Sequence, residues 1–185
     1  TKLPVIQNFV DKAEKILIGG AIANNFFKNN GIKIGLSVAD DTLVPRLSED
    51  KVILPVDMVV APDIKGIGTI RISDVIDIAN GEFIIDIGPK TTDNFIEIIQ
   101  KAKMIVWNGP VGLSEIEKFS VGTHKIAQAI AGTSNSVAGG GDTISALQSL
   151  GLIDRIGFIS TGGGAMLEFL AGNKLPGLEV LGYYK

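Results

Sequence analysis

The 185-residue sequence has no cysteine, so disulfides and thiolate metal sites are excluded. That absence suits the cytosol, and a cytoplasmic protein is expected. Arginine is scarce: Arg46, Arg71 and Arg155 are the only three, and they are scattered. An acidic substrate is usually gripped by clustered guanidinium forks, and no such cluster is legible here. There is no basic block, and the net charge is −3, so nucleic acid is not an expected partner. No segment has the length and purity of a membrane span, so no membrane partner is expected either. The opening TKLPVIQNFVDKAEK has no apolar core of signal-peptide length. Linkers rich in proline and serine are missing, as are repeats of fixed period. Residues 1–185 therefore read as a single domain, long enough to bury a core.

What the sequence does have is apolar residues and glycine. Hydrophobic residues make up 45% and charged residues 20%, the balance of a globular protein. The 23 glycines are nearly twice the usual share, and they cluster at the ends of apolar runs, as turns do. Six runs rich in Ile and Val read as buried parallel strands: 15–20, 52–61, 82–88, 104–109, 135–141 and 157–163. Helical stripes alternate with them. Leu3, Ile6, Val10 and Ala13 share one face, as do Phe95, Ile98 and Ile99, and Ile144, Leu147 and Leu150. The expectation is an α/β doubly wound domain: a mainly parallel sheet of about six strands with helices on both faces. Segment 63–81 resists this pattern, and TIRISDVIDI (69–78) is either an extra hairpin strand or a flap.

Several strands end in glycine and lead into a helix. GGG recurs at 139–141 and 162–164, GGA stands at 19–21, and NGPVG at 108–112. A helix start leaves four backbone N–H groups without partners and carries about half a positive charge. Glycines in front let a phosphate approach those groups closely. Several such turns along one sheet edge point to a polyphosphate, whereas any one of them alone is equally a tight turn. Asp142 follows only the first GGG. It either caps a helix or holds a divalent cation against phosphate oxygens, as Mg²⁺ prefers. Thr143 can donate a hydroxyl to phosphate. Glu115 is either a first-turn helix acid or a ligand for ribose hydroxyls. Trp107 reads as core, and His124, the single histidine, as surface. A Walker A loop is excluded, since no Gly-Lys pair occurs. The nearest dinucleotide fingerprint, GIGTIR (66–71), lacks its third glycine.

VWNGPVGLSEIEKF (106–119), VAGGGDTISAL (137–147) and ISTGGGAMLEFLAGNKLPGLEVL (159–181) resemble, in order, three signature blocks of the phosphoglycerate kinase family. ILIGGAIANNF (16–26), LPVDMVVA (54–61) and IDIGPKT (85–91) are similar to further blocks. The resemblance covers essentially the whole chain and corresponds to the family's C-terminal, nucleotide-binding half. It implies MgATP/MgADP binding and reversible phosphoryl transfer between 1,3-bisphosphoglycerate and ADP. The phosphoglycerate, 3-phospho or 1,3-bisphospho, would bind a separate N-terminal domain, and a monomer is expected. The alternative is a non-catalytic nucleotide-binding or structural module of the same fold.

The resemblance also implies site residues. Gly140 and Gly141, with Gly163 and Gly164, resemble the two helix starts that hold the transferring phosphoryl group. Asp142 is similar to the Mg-nucleotide aspartate and Thr143 to its phosphate-binding neighbour. Gly19 and Gly20 resemble the adenine-side turn, Ile85 an apolar wall of the adenine slot, and Asn108, Gly109, Pro110 and Val111 the turn along the nucleotide. Glu115 is similar to the ribose-binding acid, and Lys2 to a phosphate-binding lysine. Three departures stand out: GGAIA where the family usually has GGGMA, LSE where V-F-E is common, and Phe158 where a histidine often stands. None removes a charge that the chemistry needs. Thr1 falls inside a family block, so the chain is expected to be a fragment of a longer kinase, not catalytic by itself.

Overall fold

The structure, a computed structural model, describes residues 3–40 and 50–184. Helix α1 (Leu3–Val10) buries Leu3 and Ile6 and half-buries Val10, so its apolar stripe is as expected, although Ala13 lies past its end. Strand β1 (Ile16–Leu17) precedes helix α2 (Gly20–Asn29) and pairs in parallel with β2 (Val52–Ile53).

The apolar run 52–61 then divides instead of continuing as one parallel strand. Pro55 has no N–H to offer a ladder. The amides of Val56 and Asp57 donate to Thr91 Oγ1 at 3.0 and 3.1 Å instead. Beyond that break, β3 (Asp57–Ala61) runs antiparallel to both β4 (Arg71–Asp74) and β5 (Phe83–Ile87), with β3 in the middle. The run 82–88 is therefore an antiparallel strand too. The open segment 69–78 contributes β4 and a 3₁₀ turn, Val75–Asp77.

The third ladder is parallel, as the sequence suggests: β6 (Ile105–Asn108), β7 (Ser136–Gly139) and β8 (Phe158–Ser160), in that spatial order. Its connections are α4 (Val121–Ala131), between β6 and β7, and α5 (Gly141–Ser149), between β7 and β8. Helix α3 (Pro89–Lys101) links β5 to β6, and α6 (Gly163–Ala171) and α7 (Pro176–Val180) follow β8. The α/β class holds, with parallel ladders flanked by helices. Among the described residues the strands form three sheets, of two, three and three strands, rather than one six-stranded sheet.

One main core joins the ladders. Phe27 of α2, Met58 and Val60 of β3, Phe95 and Ile99 of α3, Trp107 of β6, and Leu147 of α5 are buried in it together. Each large side chain so buried stabilises the fold by roughly 1.5–3 kcal/mol. A satellite cluster of Ala61, Ile85 and Phe119 lies under residues 113 and 116. Two acids are fully buried inside the strands, Asp57 and Asp86. Asp57 starts α3: its carboxylate accepts the amides of Lys90 and Thr91 at 3.0 and 2.8 Å and the Thr91 hydroxyl at 2.7 Å. His124 is half-buried rather than exposed, 3.5 Å from Ser120 Oγ through Nδ1. Among the described residues no helix is long and apolar enough to cross a membrane.

Candidate functional site

Parallel pairing aligns the ends of three strands. Asn108, Gly139 and Ser160 are register partners across β6, β7 and β8. The turns that follow them, 108–112, 139–141 and 161–164, therefore lie side by side. Asn108 ties the first two together, donating from Nδ2 to the Gly139 carbonyl at 2.8 Å.

The two GGG turns meet through their middle glycines. A Cβ on Gly163 would stand 2.4 Å from the Gly140 nitrogen and 2.8 Å from Asn108 Nδ2. Only glycine allows that approach, because the obstacle is backbone. Gly140 itself has φ +98°, in the left-handed region that favours glycine. Gly141 and Gly164 differ: a Cβ on either would meet nothing within 4 Å. They open the first turns of α5 and α6 to solvent. The N-caps of these helices are Gly140 and Gly162, which have no side chain to satisfy the first N–H groups. Two helix N-termini thus converge on one open surface, neither with a side-chain cap, and only α5 carries an acid, Asp142, in its first turn.

Asp142 occupies the first turn of α5, exposed, with Gly140 as the helix cap. Helix capping by Asp142 is therefore not what the geometry displays. Among the described residues no group of three or more His, Asp or Glu is arranged to hold a metal ion. One carboxylate completed by phosphate oxygens suits Mg²⁺, so the residues present fit a cation that arrives with a phosphate.

Thr143 is buried, and its Oγ1 accepts the Gly109 amide at 2.7 Å. It braces the 108–112 turn from below rather than facing open solvent. That turn is held at four further points. Trp107 Nε1 donates to the Gly109 carbonyl at 2.8 Å, so the buried indole also has a local task. The Val111 amide donates to Thr123 Oγ1 at 3.2 Å, and the Leu113 amide to the Ile85 carbonyl at 2.7 Å. The Val111 carbonyl accepts the Gly20 amide at 2.9 Å, and a Cβ on Gly19 would collide with the Val111 side chain at 2.8 Å. The Gly19–Gly20 turn, cap of α2, thereby docks on Pro110 and Val111. Gly19, Gly20, Asn108, Gly109, Pro110, Val111, Gly140, Gly141, Asp142, Thr143, Gly163 and Gly164 all belong to this one edge.

Two expected residues, Ile85 and Glu115, stand apart from that set. Ile85 is enclosed in the satellite cluster with Phe119, where its carbonyl rather than its side chain meets the turn. Glu115 is exposed in the loop after the turn, and the first-turn acid of the next 3₁₀ turn is Glu117. Lys2 lies outside the described residues. Two shallow concavities occur elsewhere, one lined by residues 31–33 and 76–78 and the other by residues 100, 102, 128–129 and 132–134. Neither has helix starts converging on it.

The family model for phosphoglycerate kinase matches residues 1–173. The chain belongs to the phosphoglycerate kinase family. It is 43% identical over 191 residues to a phosphoglycerate kinase of Francisella philomiragia, covering 98% of this chain and 49% of that relative. It is 41% identical to one of Thermomicrobium roseum, covering 97% of this chain and 48% of that protein. Among solved structures, the phosphoglycerate kinase of Coxiella burnetii aligns with TM-score 0.89 at 36% identity, over 97% of this chain and 49% of that one. That of Pyrococcus horikoshii aligns with TM-score 0.79 at 35% identity, over 97% and 48%. The chain thus spans about half the length of the phosphoglycerate kinases it matches.

The sequence patterns did not single out Asp86. The signal was available as a lone acid in the apolar run FIIDIG, where burial without a countercharge is costly. Asp86 is buried, and burial pushes its carboxyl up to about 7, opposed in part by hydrogen bonds from the amides of Gly122 and Ile87.

Proposed function

We propose that this chain is the nucleotide-binding half of a phosphoglycerate kinase, taking MgATP or MgADP along its glycine edge. The observation that carries this reading is the convergence of two uncapped helix starts, α5 and α6, beside the braced 108–112 turn. In it, the amides at Gly140, Gly141, Gly163 and Gly164 receive the transferring phosphoryl group, and Asn108 to Val111 run along the nucleotide. Gly19 and Gly20 flank the base, with Ile85 supporting that slot from beneath. Glu115 reaches the ribose hydroxyls, and Thr143 keeps the turn at phosphate height. Asp142 would hold Mg²⁺ together with phosphate oxygens, and Lys2 would add a cation. The bound ion would supply neutralising charge between the phosphates.

Phosphoryl transfer of this kind needs no base from the protein. The attacking group is either the ADP β-phosphate or the 3-phosphoglycerate carboxylate, depending on direction. Catalysis then consists of positioning and of neutralising charge on the transferring oxygens. Fixed N–H dipoles do this without reorganising at the moment of reaction. The acyl phosphate 1,3-bisphosphoglycerate, or in the other direction the carboxylate of 3-phosphoglycerate, would be presented by a separate half of the enzyme, and closure between the halves would expel competing water. A cytoplasmic, monomeric enzyme of this kind completes the proposal.

Calorimetric titration of the folded chain with MgADP tests it, alongside Asp142→Asn. Saturable binding that weakens at least tenfold in the variant, with folding unchanged, is the expected result. Absence of binding by a folded chain would overturn the reading. Equal binding by the variant would remove Asp142 from it.

A further inference from the structure

Of the two buried strand acids, Asp57 is accounted for by the start of α3, whereas nothing in the glycine edge uses Asp86. Its Oδ2 accepts the Gly122 amide, in the first turn of α4, at 2.7 Å. Its Oδ1 accepts the Ile87 amide at 2.9 Å. Two glycines close over the carboxyl: a Cβ on Gly112 would lie 2.5 Å from Oδ1, and one on Gly122 would lie 2.6 Å from it. The charged and titratable side chains on the elements around it are Lys28 on α2, Asp57 on β3, Glu115, Glu117 and Lys118 in the loop, and His124 and Lys125 on α4. None of them contributes to its shift, which burial and backbone N–H groups set between them.

The contacts form a chain that ends at the nucleotide turn. Asp86 fixes Gly122. The next residue, Thr123, is fully buried and accepts the Val111 amide at 3.2 Å. The residue before Asp86 accepts the Leu113 amide through the Ile85 carbonyl at 2.7 Å. Residues 111–113 are therefore clasped between the strand that carries Asp86 and the helix turn that Asp86 anchors. We infer that Asp86 is a positioning residue for nucleotide binding: it fixes the first turn of α4 so that Thr123 and β5 hold Val111 to Leu113 in the shape that receives the nucleotide. The inference rests on the nucleotide-binding reading above. Asp86 itself touches no ligand, and it acts through Gly122 and Thr123. Ionising a buried carboxyl that has no countercharge draws water toward it. The clasp should therefore loosen as the pH rises through about 7, where burial has moved this group.

The test compares the unsubstituted chain with Asp86→Asn and Thr123→Val, by amide hydrogen exchange and by MgADP titration from about pH 6 to about pH 8. Asparagine offers one acceptor oxygen where the carboxyl offers two, so one of the two backbone N–H groups loses its bond. In the unsubstituted chain, protection of the Val111 and Leu113 amides and affinity for MgADP should fall together with rising pH. In Asp86→Asn both should already be low, by about tenfold, and independent of pH. Thr123→Val removes only the last link. It should lose a similar factor in affinity yet keep the pH dependence, and it judges the inference should Asp86→Asn fail to fold. Unchanged protection and affinity in the variants, in a chain that binds MgADP, would overturn this inference alone. No binding by the folded, unsubstituted chain would overturn the nucleotide reading and this one with it.

Discussion

Gly163→Ala is the smallest change that should separate close contact from mere flexibility at the glycine edge. The added Cβ would stand 2.4 Å from the Gly140 nitrogen, 2.5 Å from its Cα and 2.8 Å from Asn108 Nδ2. Two of these three neighbours are backbone, and Gly140 is itself held at φ +98° between β7 and α5. Relief requires α6 to withdraw by roughly an ångström from the end of β7, and overpacking of this kind costs about 1–3 kcal/mol. Against that, alanine restricts the unfolded chain and favours helix, a gain of roughly 0.4–1 kcal/mol. The net expectation is a loss of about 1–2 kcal/mol, or roughly 2–8 °C in a domain of this size. Gly164→Ala is the internal control, because its Cβ meets nothing within 4 Å. It should hold or raise stability by up to about 1 kcal/mol. Nucleotide affinity should nevertheless fall in both variants: the first moves a helix start, and the second puts a methyl group on the open face where a phosphate would sit. Urea denaturation and MgADP calorimetry on the same samples read the two effects separately. A Gly163→Ala chain as stable as Gly164→Ala would refute the close-contact account.

Three further outcomes follow from particular contacts. Thr143→Val keeps the buried shape but strips the Gly109 amide of its acceptor, and it should cost about 1–3 kcal/mol by denaturation and also weaken MgADP binding; a stable variant with normal affinity would contradict the bracing role. Burial raises the Asp86 carboxyl from 3.8 to about 7, so the folded state holds this proton more tightly than the unfolded one. Its contribution to stability is then full below the unfolded value and lost as pH rises through the folded one, a decline on the order of 2–3 kcal/mol from about pH 5 to about pH 8. Denaturation midpoints across that range should slope downward in the unsubstituted chain and flatten in Asp86→Asn; an upward slope would contradict the assignment. Arg71 grips Glu82 with two bonds, at 2.7 and 2.6 Å, and holds its carboxyl below the usual range, yet the arginine side chain is 44% exposed. Solvent screening should therefore keep the double-mutant coupling of the pair in the small range of exposed ion pairs, and a coupling as large as that of a buried pair would show the hairpin to be better shielded than it is.

The α/β class and the parallel β6–β7–β8 ladder were legible because their signals are local. Apolar runs ending in glycine and followed by helical periodicity need no distant partner to be recognised. The division of 52–61 was not legible from hydrophobicity, since both halves are equally apolar. What breaks the run is Pro55, together with Thr91, 34 residues beyond Asp57, whose hydroxyl takes the amides that a continuous strand would have used. Periodicity cannot report such a tertiary competitor. The pairing sense of β5 was hidden for the same reason, since it follows from where β3 turns. The depth of Thr143 and Ile85 was not visible: a residue facing a ligand and one buried beneath or beside the turn read alike. Asp57 and Asp86 were the missed signals, because a single acid within an apolar run already implies buried partners.

The two GGG turns show why composition understates this site. As letters the six glycines are equivalent, and only the aspartate tells the copies apart. In three dimensions they fall into different kinds. Gly163 is glycine because a Cβ there would strike backbone, Gly140 because its φ of +98° favours glycine, and Gly139 because a Cβ there would press on Met166 at 2.9 Å. Gly141 and Gly164 touch nothing, so packing gives no reason for them to be glycine. A helix start gains roughly 0.5–1 kcal/mol when such a glycine becomes alanine. Two exposed positions that forgo that gain, side by side on uncapped helix starts, are what a surface kept clear for close approach to backbone N–H groups requires. The single acid fits the same logic. Two carboxylates on one edge would repel a polyphosphate, whereas one at the start of α5 can share a divalent cation with it and leave the start of α6 wholly positive.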